Sequence, residues 1–327
     1  MNRLLRPFAL MTTAIAAGVV LVAPGVAHAA DTTIRLSADK MRTALKAVSE
    51  TSTAATRRGW KAVLSTTDNS QQSVRGSYTV DRADGIVSLQ VRAGAKRISA
   101  YVVAGKGMYS SFDGANIQAA MKMIGRPAVR YTFMPEPPEL EHYIKGNIPA
   151  PTSILTEDVH RAGTRTTHDD GSTDYRVTAA NGGTVTLHVD PAGRLTKVRG
   201  SVTGAPFALA LQYGPQRVTL PAARVTVDAK TLTNAVAYLD MPNAVKTAAN
   251  NGALETRRAA DGKKVEVSAL RTLTRRAAAA VARSSLVKLT TDNIDNGVRI
   301  SARNPWTKET MTYTVIAGGR DVLVKQV

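Results

Sequence analysis

The stretch that most constrains this chain is Val74 to Phe112, VRGSYTVDRADGIVSLQVRAGAKRISAYVVAGKGMYSSF. Val74, Gly76, Tyr78 and Val80 alternate with Arg75, Ser77 and Thr79. Val87, Leu89 and Val91 alternate with Ser88, Gln90 and Arg92. A period of two marks strands with one apolar and one polar face. The breaks between them are turn chemistry: Asp81 to Gly85, Ala93 to Lys96, and Gly105 to Gly107. Breaks this short join only antiparallel neighbours, so the stretch is a meander. Its apolar face needs a cover, and the rest of the chain must supply it.

The start of the chain does not belong to that fold. Arg3 and Arg6 precede an apolar run from Phe8 to Val22, then Pro24, Gly25 and a small-x-small site at Ala27-His28-Ala29. That is the pattern of a secretory signal peptide over residues 1–29, and it implies an extracytoplasmic, secreted protein. The chain has no cysteine. A lipid-modified cysteine and disulfides are thereby excluded, and stability has to come from the core. Formal net charge is +18. A field of that sign favours anionic partners: cell-wall polymer or acidic lipid head groups. Nucleic acid is not expected, since aromatics make up 5% of residues and form no stacking platform.

Ser37 caps a helix whose stripe is Met41, Leu45 and Val48. A strand begins at Trp60 and ends at a turn over Thr67-Asp68-Asn69, and the meander follows. Asn116 to Gly125 reads as a short helix stopped by Gly125 and Pro127. From Arg126 to Pro151 six prolines predict an irregular crossover of the kind that forms lids. A second meander starts near Ile154 and closes at Val218 to Pro221. Beyond it lie helices over Asp228 to Ala249 and from Ser268, then strands at 286–290, 298–302, 311–315 and 322–327. The expected domains are 30–223 and a small helix-then-strands module at 224–327.

This order of elements resembles the LolA-like superfamily of lipoprotein carriers, in particular its LppX/LprG lipid-carrier branch. The resemblance rests on the helix from Ser37, ISAYVVAGKGMYSSFDG at Ile98 to Gly114, GTVTLHVDPAGRLTKVRGSV at Gly183 to Val202, and QYGPQRVTLP at Gln212 to Pro221. It implies an α+β fold: a curved antiparallel half-barrel sheet, covering helices, and an apolar cavity for acyl chains between them. The candidate cavity face is Val87, Leu89, Val91, Val103, Val185, Leu187, Leu209 and Leu211. Methionine suits an adaptable lid, which adds Met121, Met123 and Met134. The lipid-anchored members of that branch carry a cysteine that this chain lacks.

No catalytic signature is present: no P-loop, nucleophile elbow, dinucleotide fingerprint or zinc helix. His160, His168, Asp169 and Asp170 have no metal-ligand spacing, and Asp-Asp-Gly-Ser is hairpin chemistry. Glu136, Glu139, Glu141 and His142 read as solvated lid charge, and Asp292 to Gly297 as a hairpin turn. Arg271, Arg275, Arg276 and Arg283 on the alanine-rich helix are candidates for contact with an anionic surface. The expected function is a monomeric, secreted, non-enzymatic carrier of a lipid or acylated molecule, without metal or cofactor. Two other readings stand beside it: an RseB-like envelope sensor that docks a partner, and a wall protein retained by charge.

Overall fold

The computed structural model describes residues 31–67, 72–136, 139–156, 159–178, 182–202 and 205–327. The signal-like start, and Asp68, Asn69, Pro137 and Pro138 of the expected breaks, lie outside the described residues. The described chain divides into two compact units. The first holds 31–111 with Met134–Leu220, the second Phe112–Phe133 with Pro221–Val327.

The first unit opens with β1 (Thr32–Leu36) and α1 (Ala38–Ala55). The Ser37 hydroxyl accepts the Lys40 amide at 3.4 Å, which satisfies one of the free donors of the helix start. Met41, Leu45, Val48 and Ser52 are the buried stripe of α1. The meander follows as β2 (Trp60–Thr67), β3 (Ser73–Asp81), β4 (Ile86–Ala93), β5 (Lys96–Val103) and β6 (Gly107–Ser111).

The chain returns to this unit at Met134. Where an irregular crossover was expected, α3 (Leu140–Asn147) and α4 (Pro151–Ile154) form. Pro151 stands at the first helical position, where its missing amide costs nothing. The second meander is β8 (Gly163–Thr167), β9 (Thr173–Thr178), β10 (Thr184–Val189), β11 (Leu195–Val202) and β12 (Ala205–Tyr213). The strand order is β1-β8-β9-β10-β11-β12-β2-β3-β4-β5-β6, so the two meanders join through the antiparallel pair β12 and β2. One core cluster contains Met41, Leu45 and Val48 of α1, Ile144, Ile148 and Leu155 of the crossover, and inward residues of both meanders. The helix from Ser37 and the crossover therefore cover the sheet, as the alternation required.

The second unit begins with α2 (Ala115–Met123) and β7 (Tyr131–Met134), whose first three residues pair in parallel with β13 (Thr226–Asp228). Then come α5 (Ala229–Leu239), α6 (Met241–Ala260) and α7 (Val267–Ser285). An antiparallel sheet ends the chain: β14 (Thr290–Ile294), β15 (Gly297–Arg303), β16 (Thr310–Gly318) and β17 (Asp321–Gln326). Its buried Val298, Ile300, Val315 and Val322 pack with Val245, Ala249 and Leu270 of α6 and α7.

Two sequence expectations are corrected here. The units are not contiguous, because 112–133 finds its apolar partners beyond Pro221. Ala120, Met121 and Val129 share a buried cluster with Val227 and Ala235. The Met-bearing helix near Met121, expected to cover the meander, is thus packed within the second unit. The edge strand β1 was not anticipated, since five residues beside the signal-like start carry too little alternation to stand out.

Candidate functional site

Strand register builds the site. Residues opposite each other in adjacent strands share a sheet face, so pairing extends in rows across the sheet. One row on the inner face runs Ile34, Arg165, Tyr175, Leu187, Val198, Leu209, Leu64, Gly76, Val91, Ile98. The next contains Val177, Val185, Gly200, Phe207 and Thr66. Gly200 leaves a gap between two large neighbours, and the Phe207 ring lies over it. A methyl at Gly200 would meet Cε1 of that ring at 3.0 Å and the Thr184 carbonyl oxygen at 2.6 Å.

Beneath the crossover these two rows form the floor of a half-open cavity of about 250 Å³. Leu64, Val185, Leu187, Val198, Phe207 and Leu209 form its floor, and Pro149, Ile154 and Val159 its roof. Every lining residue is apolar. Three contacts fasten the roof. The Trp60 indole N–H donates to the Pro149 carbonyl at 3.2 Å. The Arg82 guanidinium lies 5.5 Å from the Trp60 ring centroid. The same guanidinium forks onto the Glu141 carboxylate of α3. Burial raises the pKa of Tyr143 on α3, which keeps that hydroxyl neutral. On the far side, Ser52 of α1 accepts the Leu195 amide at 2.9 Å, and the Tyr213 hydroxyl donates to the Leu195 carbonyl at 2.5 Å.

The expected face residues divide. Val185, Leu187 and Leu209 line the cavity. Leu211 is in the same core cluster, buried beside it. Val87 is fully buried in that cluster and Leu89 packs against it. Val91 is half-buried on β4, two strands from the floor. Val103 is a correction. Val102 pairs with Val87 and Val103 with Ile86, so Val103 has the opposite parity and points to the other face. Met121 is a second correction, as above. Met123 is half-buried in the second unit, where its sulfur accepts Asn304 Nδ2 at 3.1 Å. Met134 ends β7, half-buried, and does not line the cavity.

Leu64, Val198, Phe207, Pro149, Ile154 and Val159 complete the site without having been anticipated. For Leu64 and Phe207 the signal is the β12–β2 register, which joins residues far apart in the chain. On the inner face, the Arg165 Nε is buried without a hydrogen-bond partner. It occupies the cavity-floor row, beyond Tyr175 from Leu187.

Of the α7 arginines expected to contact an anionic surface, Arg271 and Arg275 are hydrogen-bonded within their own unit. Arg271 donates to the Ile294 carbonyl at 2.9 Å, and Arg275 to the Asn293 side chain at 2.8 Å. Both therefore brace the β14–β15 turn. Arg276 stands 3.9 Å from Glu255, and Arg283 is exposed at the helix end.

On the outer face of the first unit, His168 Nδ1 is 3.0 Å from Asp31 and its Nε2 is 3.3 Å from Asp174, whose other oxygen is 2.7 Å from His188 Nδ1. The hydrogen bond to Asp31 leads the causes that raise the His168 pKa. Among the described residues, no group of His, Asp and Glu is arranged to hold a metal ion, and no helix is long and apolar enough to cross a membrane.

Comparison with known proteins gives structures only. No family model matches the chain, and no curated protein matches it. LprF from Mycobacterium bovis is similar over 56% of this chain and 97% of its own, at 14% identity and a TM-score of 0.29. An uncharacterized conserved protein from Thermus thermophilus is similar over 57% of this chain and 98% of its own, at 9% identity and a TM-score of 0.26. Neither likeness is strong enough to carry a functional argument.

Proposed function

We propose that the protein is a secreted, non-enzymatic carrier with a LolA-like half-barrel in its first unit, holding an acyl chain beneath the α3–α4 crossover. The observation that carries this reading is the cavity with a wholly apolar lining, walled by the sheet floor and a separately fastened roof. Its volume of about 250 Å³ falls just below the roughly 300–1,000 Å³ of small-molecule pockets. That size favours part of a single chain over a multi-tailed lipid. Arg165, on the same inner row, is the cation for an anionic head, because its unpartnered Nε would gain an acceptor there. Export past the membrane and a monomeric state belong to the same proposal.

The test is extraction of the purified, natively expressed chain into organic solvent, followed by mass spectrometry and by titration with a fluorescent fatty acid. A co-purifying acylated molecule and saturable binding are expected. Arg165→Gln is expected to remove the preference for a fatty acid over the matching fatty alcohol while alcohol binding persists. Absence of both extracted lipid and saturable binding overturns the carrier reading.

A further inference from the structure

The outer face of the first unit's sheet carries a feature unrelated to the cavity. One transverse row there reads Arg35, Thr164, Arg176, Thr186, Arg199, Ala208, Ser65, Arg75, Arg92, Arg97, each residue paired with the next. Six of its members are arginines, and all six are exposed. Arg75 stands directly opposite Arg92, and Arg92 directly opposite Arg97. Like charges in facing positions destabilise a sheet. Among the described residues, none of the six forms an ion pair, and the Arg92 Nε donates only to the Gly94 carbonyl of its own turn, at 3.3 Å. The neighbouring row adds Lys197 and holds one carboxylate, Asp174, already hydrogen-bonded by His188 and near His168. Sheet stability gives no reason to collect these guanidinium groups on one line.

The geometry points to this row as a binding track for a flexible, linear, phosphate-rich polymer, separate from the acyl cavity. Guanidinium forks match phosphate oxygens in pairs, and strands about 4.8 Å apart present them in succession. Sheet twist selects the shape of the partner. Each strand is rotated by roughly 20–25° from its neighbour, so a row this long winds around the sheet. A flat bilayer meets only a few of its members at once, whereas a flexible chain follows them all. Between the arginines the row holds only Thr, Ala and Ser, and the one ring of the neighbouring row, His188, is held by Asp174 at 2.7 Å, so no succession of rings offers bases a stacking platform. The track therefore takes the backbone charge of a polymer and reads no base.

The experiment titrates the full chain with fluorescein-labelled inorganic polyphosphate, by anisotropy, between about 50 and 200 mM salt. With about 0.7 counterions released per contact on a single-stranded polyanion, six contacts give a slope of log K on log salt of about −4. The triple variant Arg75→Ser, Arg92→Ser, Arg97→Ser is expected to halve that slope to about −2. The other half, Arg35→Ser, Arg176→Ser, Arg199→Ser, is expected to do the same. Melting of the first triple variant at or above the parent temperature confirms that it folds, since it removes facing like charges. A control removes the same charge elsewhere: Arg258→Ser, Arg303→Ser, Arg320→Ser, all exposed in the second unit, and the parent slope is expected to persist. Equal loss in the control overturns the track in favour of net charge alone. Sedimentation with phosphatidylglycerol vesicles but no polyphosphate binding overturns it in favour of a membrane surface. Tighter binding of single-stranded DNA than of polyphosphate at matched charge overturns the phosphate-only reading. Binding to none of these overturns it outright.

Discussion

Val198→Phe separates a real cavity from a packed core. Val198 is 3% exposed and forms part of the cavity floor between Leu187 and Leu209. Phenylalanine adds four carbons, and at about 0.8 kcal/mol per buried methylene-sized group the ceiling of stabilisation is about 3 kcal/mol. Incomplete contact in a space of about 250 Å³, together with the lost rotamer freedom of the larger side chain, reduces the expected gain to about 0–1 kcal/mol. Were the floor already packed against the roof, the same change would force strain and cost about 1–3 kcal/mol. The assay is urea unfolding in a Trp306→Phe background. The chain has two tryptophans, so buried Trp60 then reports the first unit alone. Fatty-acid titration runs in parallel. Unchanged or raised stability with lost binding is expected. Destabilisation by about 1 kcal/mol or more refutes the void, and unchanged stability with full binding puts the ligand elsewhere.

Arg82→Ala removes both the fork to Glu141 and the stacking on Trp60. It is expected to speed amide exchange in α3 and α4 and to shorten ligand residence, with little effect on exchange in β9 to β11. His168 titrates above its ordinary value near 6.5. Its contribution to stability is complete below about pH 6.5 and is lost as pH rises through the raised value. Asp31→Asn is expected to bring the His168 NMR titration back down, and an unchanged titration removes Asp31 as the cause. Tyr213 is pushed up to about 12, chiefly by burial. Stability is therefore lost as pH rises from about 10, where the unfolded tyrosine ionises, toward the folded value. Tyr213→Phe orphans the Leu195 carbonyl and is expected to cost about 1–3 kcal/mol in chemical unfolding.

Local patterning revealed most strands and helices, because alternation and helical stripes are properties of neighbouring residues. Val185, Leu187 and Leu209 were legible as inward-facing strand positions on that basis. The errors arise where a decision depends on distant chain. Val103 sits at the end of an apolar run, Tyr101-Val102-Val103, in which parity cannot be told without the β4 register. Met121 has an apolar stripe that fits any apolar partner, and Val227 and Ala235 claim it. Leu64 and Phe207 meet only because β2 pairs with β12. The outer arginine row has the same origin: its members are single polar positions scattered over separate strands, and only pairing aligns them.

The interleaving of the two units has a consequence for how the molecule is made. Trp60 pairs with Tyr213, a separation of about 150 residues, and the entropy of closing that loop must be met before the central pair gives anything back. A chain emerging from its N-terminus completes β2 to β6 long before β12 exists, leaving a bare strand edge on β2 in the interval. Residues 112–133 emerge in that same interval, and their partners at Val227 and Ala235 come later still. Completion of the fold is therefore held back until most of the chain is available. It also means that no single cut frees either unit whole. A chain ended at Pro221 would keep Met121 and Val129 in the middle of its sequence with nothing to bury them.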